Sequence, residues 1–210
     1  MLPPTIPIFP LPNAVLFPNV FMPLHIFEPR YRAMVGDALE GDRIVGMVLL
    51  RPGYESNYEG RPPVYPVGCA GVITHAERLG DGRFNIVLRG IEKFRITSED
   101  RTKSYRLAHI QPLPEQATAE QTAALRQQRT RLEALLAAAV ERAGSDPKFP
   151  PAIPDEDLVN ALAQYLELDP IERQALLERE GCLARCRALI ELLEMKVHAP
   201  RGSWDKRSMH

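Results

Sequence analysis

The sequence is short of residues that several functional classes require. Lysine occurs only as Lys93, Lys103, Lys148, Lys196 and Lys206, and never after a glycine. No G-x-x-x-x-G-K-[ST] loop therefore exists to hold nucleotide phosphates. G-x-G-x-x-G and G-x-S-x-G are missing too, which removes the usual signatures of dinucleotide binding and of an α/β-hydrolase serine. Cysteine occurs three times, as Cys69, Cys182 and Cys186. An odd count without an export signal argues against a disulfide framework. No window approaches the roughly 20 consecutive apolar residues of a membrane-spanning helix. The opening MLPPTIPIFPLP is broken by proline and has no basic n-region, so it does not read as a signal peptide. The expectation is a cytoplasmic protein with no membrane partner. An excess of one charge is also lacking: 26 Lys+Arg face 27 Asp+Glu, for a formal net charge of −1. Nucleic-acid binders normally carry a net basic surface, so this balance opposes that class.

Metal and nucleophile chemistry find equally little support. The five histidines never pair at ligand spacing. Cys182 and Cys186, four apart, share one side of a helix, but no second ligand pair accompanies them, and they read as a small apolar pair at a helix interface. Cys69 and His75 have the same strand parity but stand too far apart for a hydrogen bond, so Cys69 reads as a buried structural thiol. No cofactor, metal or catalytic residue is expected.

What the chain does have is an ordinary globular composition, 45% hydrophobic and 25% charged over 210 residues, enough to bury a core. Residues 1–115 hold 14 of the 20 prolines and 10 of the 13 glycines, while the remainder is rich in Ala, Leu, Glu and Arg. That shift predicts an α+β chain: a β-rich lobe over 1–115, a helical lobe over 116–197 and a flexible tail over 198–210. Strands are expected at Thr5–Phe9, Ala14–Phe17, Phe21–Phe27, Arg43–Leu50, Pro66–Arg78, Phe84–Arg89, Glu92–Thr97 and Tyr105–Gln111, forming a barrel or a folded-over sheet. Gly90 marks a turn or a bulge between two of them. Glu28-Pro29 opens one helix, with Pro29 at the first helical position and Tyr31, Met34, Val35 and Ala38 on its buried face. Four helices follow. The first, Thr118–Arg142, carries an apolar stripe through Leu125, Leu132 and Leu136. A breaker lies at 144–151. The second, about Asp155–Leu166, turns Leu158, Leu162 and Tyr165 inward. The third opens on Asp169-Pro170-Ile171-Glu172, a capping box. The last is about Leu183–Val197.

The stretch Arg51–Pro66 reads as a long loop in which Tyr54, Tyr58 and Tyr65 alternate with Arg51 and Arg61 among other charged residues. Loops of this length inside compact domains usually carry function, and tyrosine offers contact area at low entropic cost. These five residues are the candidate peptide-binding set. Pro62-Pro63-Val64-Tyr65 spells a PPxY peptide, but it leads directly into a strand. His25 and Glu28, where strand meets helix, suit hydrogen bonding or capping.

Several blocks together resemble the N-terminal domain of Lon proteases: Pro7-Ile8-Phe9-Pro10-Leu11-Pro12, Val15-Leu16-Phe17-Pro18, Met22-Pro23-Leu24-His25-Ile26-Phe27-Glu28-Pro29-Arg30-Tyr31-Arg32, Val67-Gly68-Cys69-Ala70-Gly71-Val72-Ile73, and the run from Asp81 to Ile96. The resemblance implies a PUA-like β-barrel followed by a helical bundle, and a non-catalytic role in binding unfolded or partly folded protein segments, as a proteolysis adaptor or chaperone-like binder beside a separate protease. The ATPase and Ser–Lys peptidase domains of that family have no counterpart in these 210 residues, so a stand-alone substrate-binding domain, monomeric or weakly dimeric, is expected. An RNA-binding PUA-like protein is the alternative.

Overall fold

The computed structural model describes residues 2–57, 60–142 and 153–198. Six strands come first: β1 (Thr5–Leu11), β2 (Phe21–Ile26), β3 (Ile44–Leu49), β4 (Val67–Arg78), β5 (Phe84–Asp100) and β6 (Arg106–Leu113). Helix α1 (Pro29–Glu40) lies between β2 and β3. Four helices follow, α2 (Ala119–Arg142), α3 (Asp155–Tyr165), α4 (Pro170–Leu177) and α5 (Gly181–His198). No helix among the described residues is long and apolar enough to cross a membrane. The predicted breaker at 144–151 and nearly all of the predicted tail lie outside the described residues.

The pairings run β5–β4–β3–β1–β6 and return from β6 to β5, while β2 extends the sheet from the first half of β5. β5 can serve three neighbours because it is long and bulged. Ala70 pairs with Glu92 but Gly71 with Gly90, leaving Ile91 as the extra residue, and a second shift falls between Ile96 and Ser98. Bulges bend a strand and increase its twist, which lets one strand leave one neighbour and join another. The two predicted strands flanking Gly90 are thus one strand, and Gly90 belongs to the bulge.

Strand β3 is buried on both faces. Val45, Met47 and Leu49 join a core shared with the helices. Val48 joins a second core inside the ring, with Ile6, Ile8, Ala70, Phe94 and Ala108. Phe94 fills that interior, and Gly46 and Gly68 make room for it: a Cβ on either would approach the Phe94 ring within 3.0 Å.

Helix α1 forms as its sequence predicts. Glu28 is the extended N-cap, Pro29 follows at the first position, and Tyr31, Met34, Val35 and Ala38 are buried. Tyr31 meets Phe9 at 4.4 Å between ring centroids. Gly36 on the same helix meets nothing within 4 Å where its Cβ would stand. Gly36→Ala is therefore expected to stabilise the protein by about 0.5–1 kcal/mol, measured as a higher urea midpoint with unchanged slope.

Two readings are corrected. Ala14–Phe17 is not a strand: Val15, Leu16 and Phe17 are buried in an irregular segment. Its backbone is satisfied by side chains of α3. The Gln164 amide accepts from Phe17 N–H at 3.0 Å and donates to Phe21 O at 3.0 Å, while Asn160 donates to Pro18 O at 3.0 Å. The second correction is Tyr165, which faces outward, 64% exposed, its hydroxyl on Phe21 O. Val159, Asn160, Ala163 and Gln164 take the inward face of α3.

Candidate functional site

The tyrosine loop is strapped down more firmly than its length predicts. Leu50 bridges to Val64, Arg51 N–H donates to Pro63 O at 2.9 Å, and Arg106 donates to Pro62 O at 2.8 Å. The PPxY peptide is held by those same bonds. Arg51 and Tyr65 are brought together: the guanidinium lies 5.5 Å from the ring centroid and its Nε donates to Val64 O at 3.1 Å. Tyr65 is half-buried against the main core. Arg61 turns to the β5–β6 end, donating to Asp100 O at 3.0 Å and standing 3.8 Å from Glu99. Tyr54 opens a short 3-10 turn, Tyr54–Asn57. Tyr58 lies outside the described residues. Among the described residues of the loop, Arg51 and Tyr65 are the pair brought together.

Sequence reasoning missed the centre of the molecule, a charged hub where the ring meets the helices. Arg185 on α5 is fully buried. Its Nη2 donates to Glu115 at 2.5 Å, its Nη1 to Asn160 at 2.6 Å and its Nε to Leu176 O at 3.2 Å, with Phe17 beneath it at 5.7 Å. Lys93 on β5, 5% exposed, meets Glu115 at 2.6 Å and donates to Leu177 O at 3.1 Å and Arg179 O at 2.7 Å. Two cations thus satisfy the carbonyls at the C-terminal end of α4, where the helix dipole favours positive charge. Burial alone would raise the Glu115 carboxyl, but Arg185 and Lys93, by charge and hydrogen bonding, hold it below its ordinary value.

A cavity of about 450 Å³ opens beside this hub. Its lining mixes apolar residues, Val67, Leu113, Leu125, Cys182 and Leu183 among them, with Lys93, Arg95 and Glu115 and with the exposed Glu156, Glu178 and Glu180. That size falls within the range of ordinary ligand pockets.

The sheet edge at β2 is less available. Phe21 O accepts from both Gln164 and Tyr165, so Phe21 turns its carbonyl away from β5. By strand parity Pro23 faces the same way, and it has no N–H to offer an incoming strand. His25 is engaged as a hydrogen-bonding residue, with Nδ1 at 2.8 Å from Asn85 Oδ1 and Nε2 at 3.3 Å from Arg83. Glu28 accepts from Arg30 Nε at 3.0 Å.

The thiols sit in apolar surroundings that disfavour the thiolate. Burial pushes Cys69 and Cys182 up to about 12 and Cys186 up to about 11. Among the described residues, no group of three or more His, Cys, Asp or Glu is placed to hold a metal ion.

Comparison with known proteins places this geometry. Residues 5–195 match the family described as the ATP-dependent protease La (LON) substrate-binding domain. Lon protease 2 of Myxococcus xanthus is 25% identical over 203 residues, covering 93% of this chain and 24% of that protein. Lon protease 1 of Herpetosiphon aurantiacus is 28% identical over 215 residues, covering 94% of this chain and 25% of that protein. The chain thus spans about a quarter of the length of these relatives. Among solved structures, the N-terminal domain of Mycobacterium avium complex Lon protease superposes with a TM-score of 0.64 at 19% identity, covering 90% of this chain and 98% of that one. The Lon N-terminal domain protein from Xanthomonas campestris gives 0.58 at 22% identity, covering 93% and 99%. These two similarities establish the fold.

Proposed function

The chain belongs to the family of the ATP-dependent protease La (Lon) substrate-binding domain, and from that membership we propose that it holds segments of other polypeptides and breaks no bond itself. The observation that carries this reading is the groove of about 450 Å³, lined in part by apolar residues, where the strand ring meets the helices. In this reading the closed circuit of pairings is the PUA-like barrel lobe, the helices from 116 onward form the second lobe, and the bound segment lies between them. The blunted β2 edge favours capture in the groove over strand addition. The Arg51–Tyr65 pair gives a second contact surface for a longer segment. Buried thiols with raised pKa values support a binding role over a thiol nucleophile. The acidic rim of the groove opposes the phosphate backbone of RNA.

Binding in the micromolar range or weaker is expected, about −8 kcal/mol or less favourable. The test is titration of an unfolded, reduced and alkylated model protein into isotope-labelled chain, read by amide NMR. Shifts at the groove residues are the expected result. Unchanged spectra at saturating concentrations reject segment binding. Turnover of the added protein by the purified chain alone, abolished by one side-chain change, rejects the non-catalytic part.

A further inference from the structure

We propose that the groove selects segments by charge, taking those in which lysine or arginine stands beside aliphatic side chains; this rests on the segment-binding reading above. Lys93, the buried cation of the lining, is fully occupied. An ammonium has three N–H donors, and Lys93 meets three acceptors, Glu115, Leu177 O and Arg179 O. Arg185 is likewise engaged by Glu115, Asn160 and Leu176 O. Lys93 offers no free donor to an anionic occupant, Arg185 lies outside the cavity lining, and Glu115 is neutralised between them.

The mouth is different. Glu156 lies in the first turn of α3, and Glu178 and Glu180 follow α4; all three residues are exposed and border the cavity. Glu178 accepts a neutral amide proton from Gln174 at 2.8 Å. Among the described residues these carboxylates form no ion pair, and the remaining cation of the lining is Arg95. Three exposed carboxylates beside apolar lining residues complement a side chain with an aliphatic stem and a cationic head. The stem of a lysine or arginine lies on Leu113 and Leu183 while its charge reaches the rim. Opposite charge at the mouth also speeds encounter and rejects acidic segments.

The test uses three short peptides on one Leu/Ala scaffold, with lysine, glutamine or glutamate at the same positions. Fluorescence anisotropy gives affinity, and amide NMR reports the place of binding. At low ionic strength the lysine peptide is expected to bind about tenfold more tightly than the glutamine peptide, since exposed pairs each contribute modestly. The difference should vanish in about 1 M salt, and shifts should fall at 113–117 and 181–183. The combined variant Glu156→Gln, Glu178→Gln, Glu180→Gln should bind the lysine and glutamine peptides alike, with the glutamine-peptide affinity and the thermal midpoint unchanged. Equal binding of the lysine and glutamine peptides by the native chain, or a preference that survives in the variant, overturns charge selection while segment binding stands. Failure of all three peptides and of the unfolded model protein overturns both readings.

Discussion

Glu115→Ala is expected to cost about 3 kcal/mol of folding stability, at the lower end of what removing one partner from a buried ion pair costs. The magnitude follows from what stays behind. Arg185 is fully buried and Lys93 is 5% exposed, and both lose the carboxylate they share. Their other acceptors are a neutral amide and backbone carbonyls, which satisfy N–H groups without balancing charge. Glu115 itself is 21% exposed, which keeps the expected cost below the extreme. Urea unfolding at neutral pH measures it. Arg185→Met should cost a similar amount alone, yet the Glu115→Ala, Arg185→Met pair should lose about 1–3 kcal/mol less than the two single changes added together, because the two side chains act as one unit. Additive losses would mean that each residue packs independently.

The same hub sets an acid dependence whose sign is determined. The Glu115 carboxyl is held below its ordinary value in the fold. A depressed carboxyl stabilises the folded state above its unfolded pKa, about 4.3 for glutamate, and that contribution is lost as pH falls through the folded value. Stability of the native chain should therefore drop more steeply below about pH 4.3 than that of Glu115→Gln. Parallel acid limbs would show that the fold does not depress the Glu115 carboxyl.

Why this hub was invisible beforehand is a matter of distance along the chain. Glu115 follows β6, Lys93 lies within β5 and Arg185 within α5, so their partners are 22 and 70 residues away. No local period signals such a meeting. What local chemistry governs was legible: the N-terminal proline of α1, the breaks between helices, and the alternation that makes β5 a strand. The Ala14–Phe17 run shows the boundary between the two. Its apolar residues foretell burial, and burial is what they have. Whether a buried backbone is satisfied by a neighbouring strand or by amide side chains depends on Asn160 and Gln164, more than 140 residues later. Tyr165 fails for a related reason: the inner face of α3 carries the polar pair Asn160 and Gln164 that the segment 17–21 needs, and this leaves Tyr165 outside. In the tyrosine loop, composition pointed to contact area, but the straps from Leu50, Arg51 and Arg106 to residues 62–64 are tertiary.

Gly90→Ala should cost about 4 kcal/mol, the second large effect, and it arises from contact alone. A Cβ at position 90 would stand 2.0 Å from Phe17 O, 2.8 Å from Phe17 C and 3.2 Å from the Cα of Pro18. All three are backbone atoms, so no side chain can swing aside. Nor can the segment retreat. Asn19 N–H donates to Gly90 O at 3.0 Å, and Gly90 N–H donates to Val20 O at 2.9 Å. On its far side the segment is pinned to α3 through Phe17 N–H and Pro18 O. Relief of the clash must therefore break bonds to β5 or to α3, each buried bond costing about 1–3 kcal/mol when left unmade. For a chain of this size the loss corresponds to a fall of about 8–16 °C in thermal midpoint. Gly80→Ala is the comparison, because its Cβ would meet nothing within 4 Å, and its midpoint should move by no more than about 2 °C. If Gly90→Ala melts as the native chain does, the segment 17–20 does not press on β5. If instead the variant is soluble but melts early, adding Phe17→Leu should not restore it, since the obstacle is the Phe17 carbonyl and not its ring.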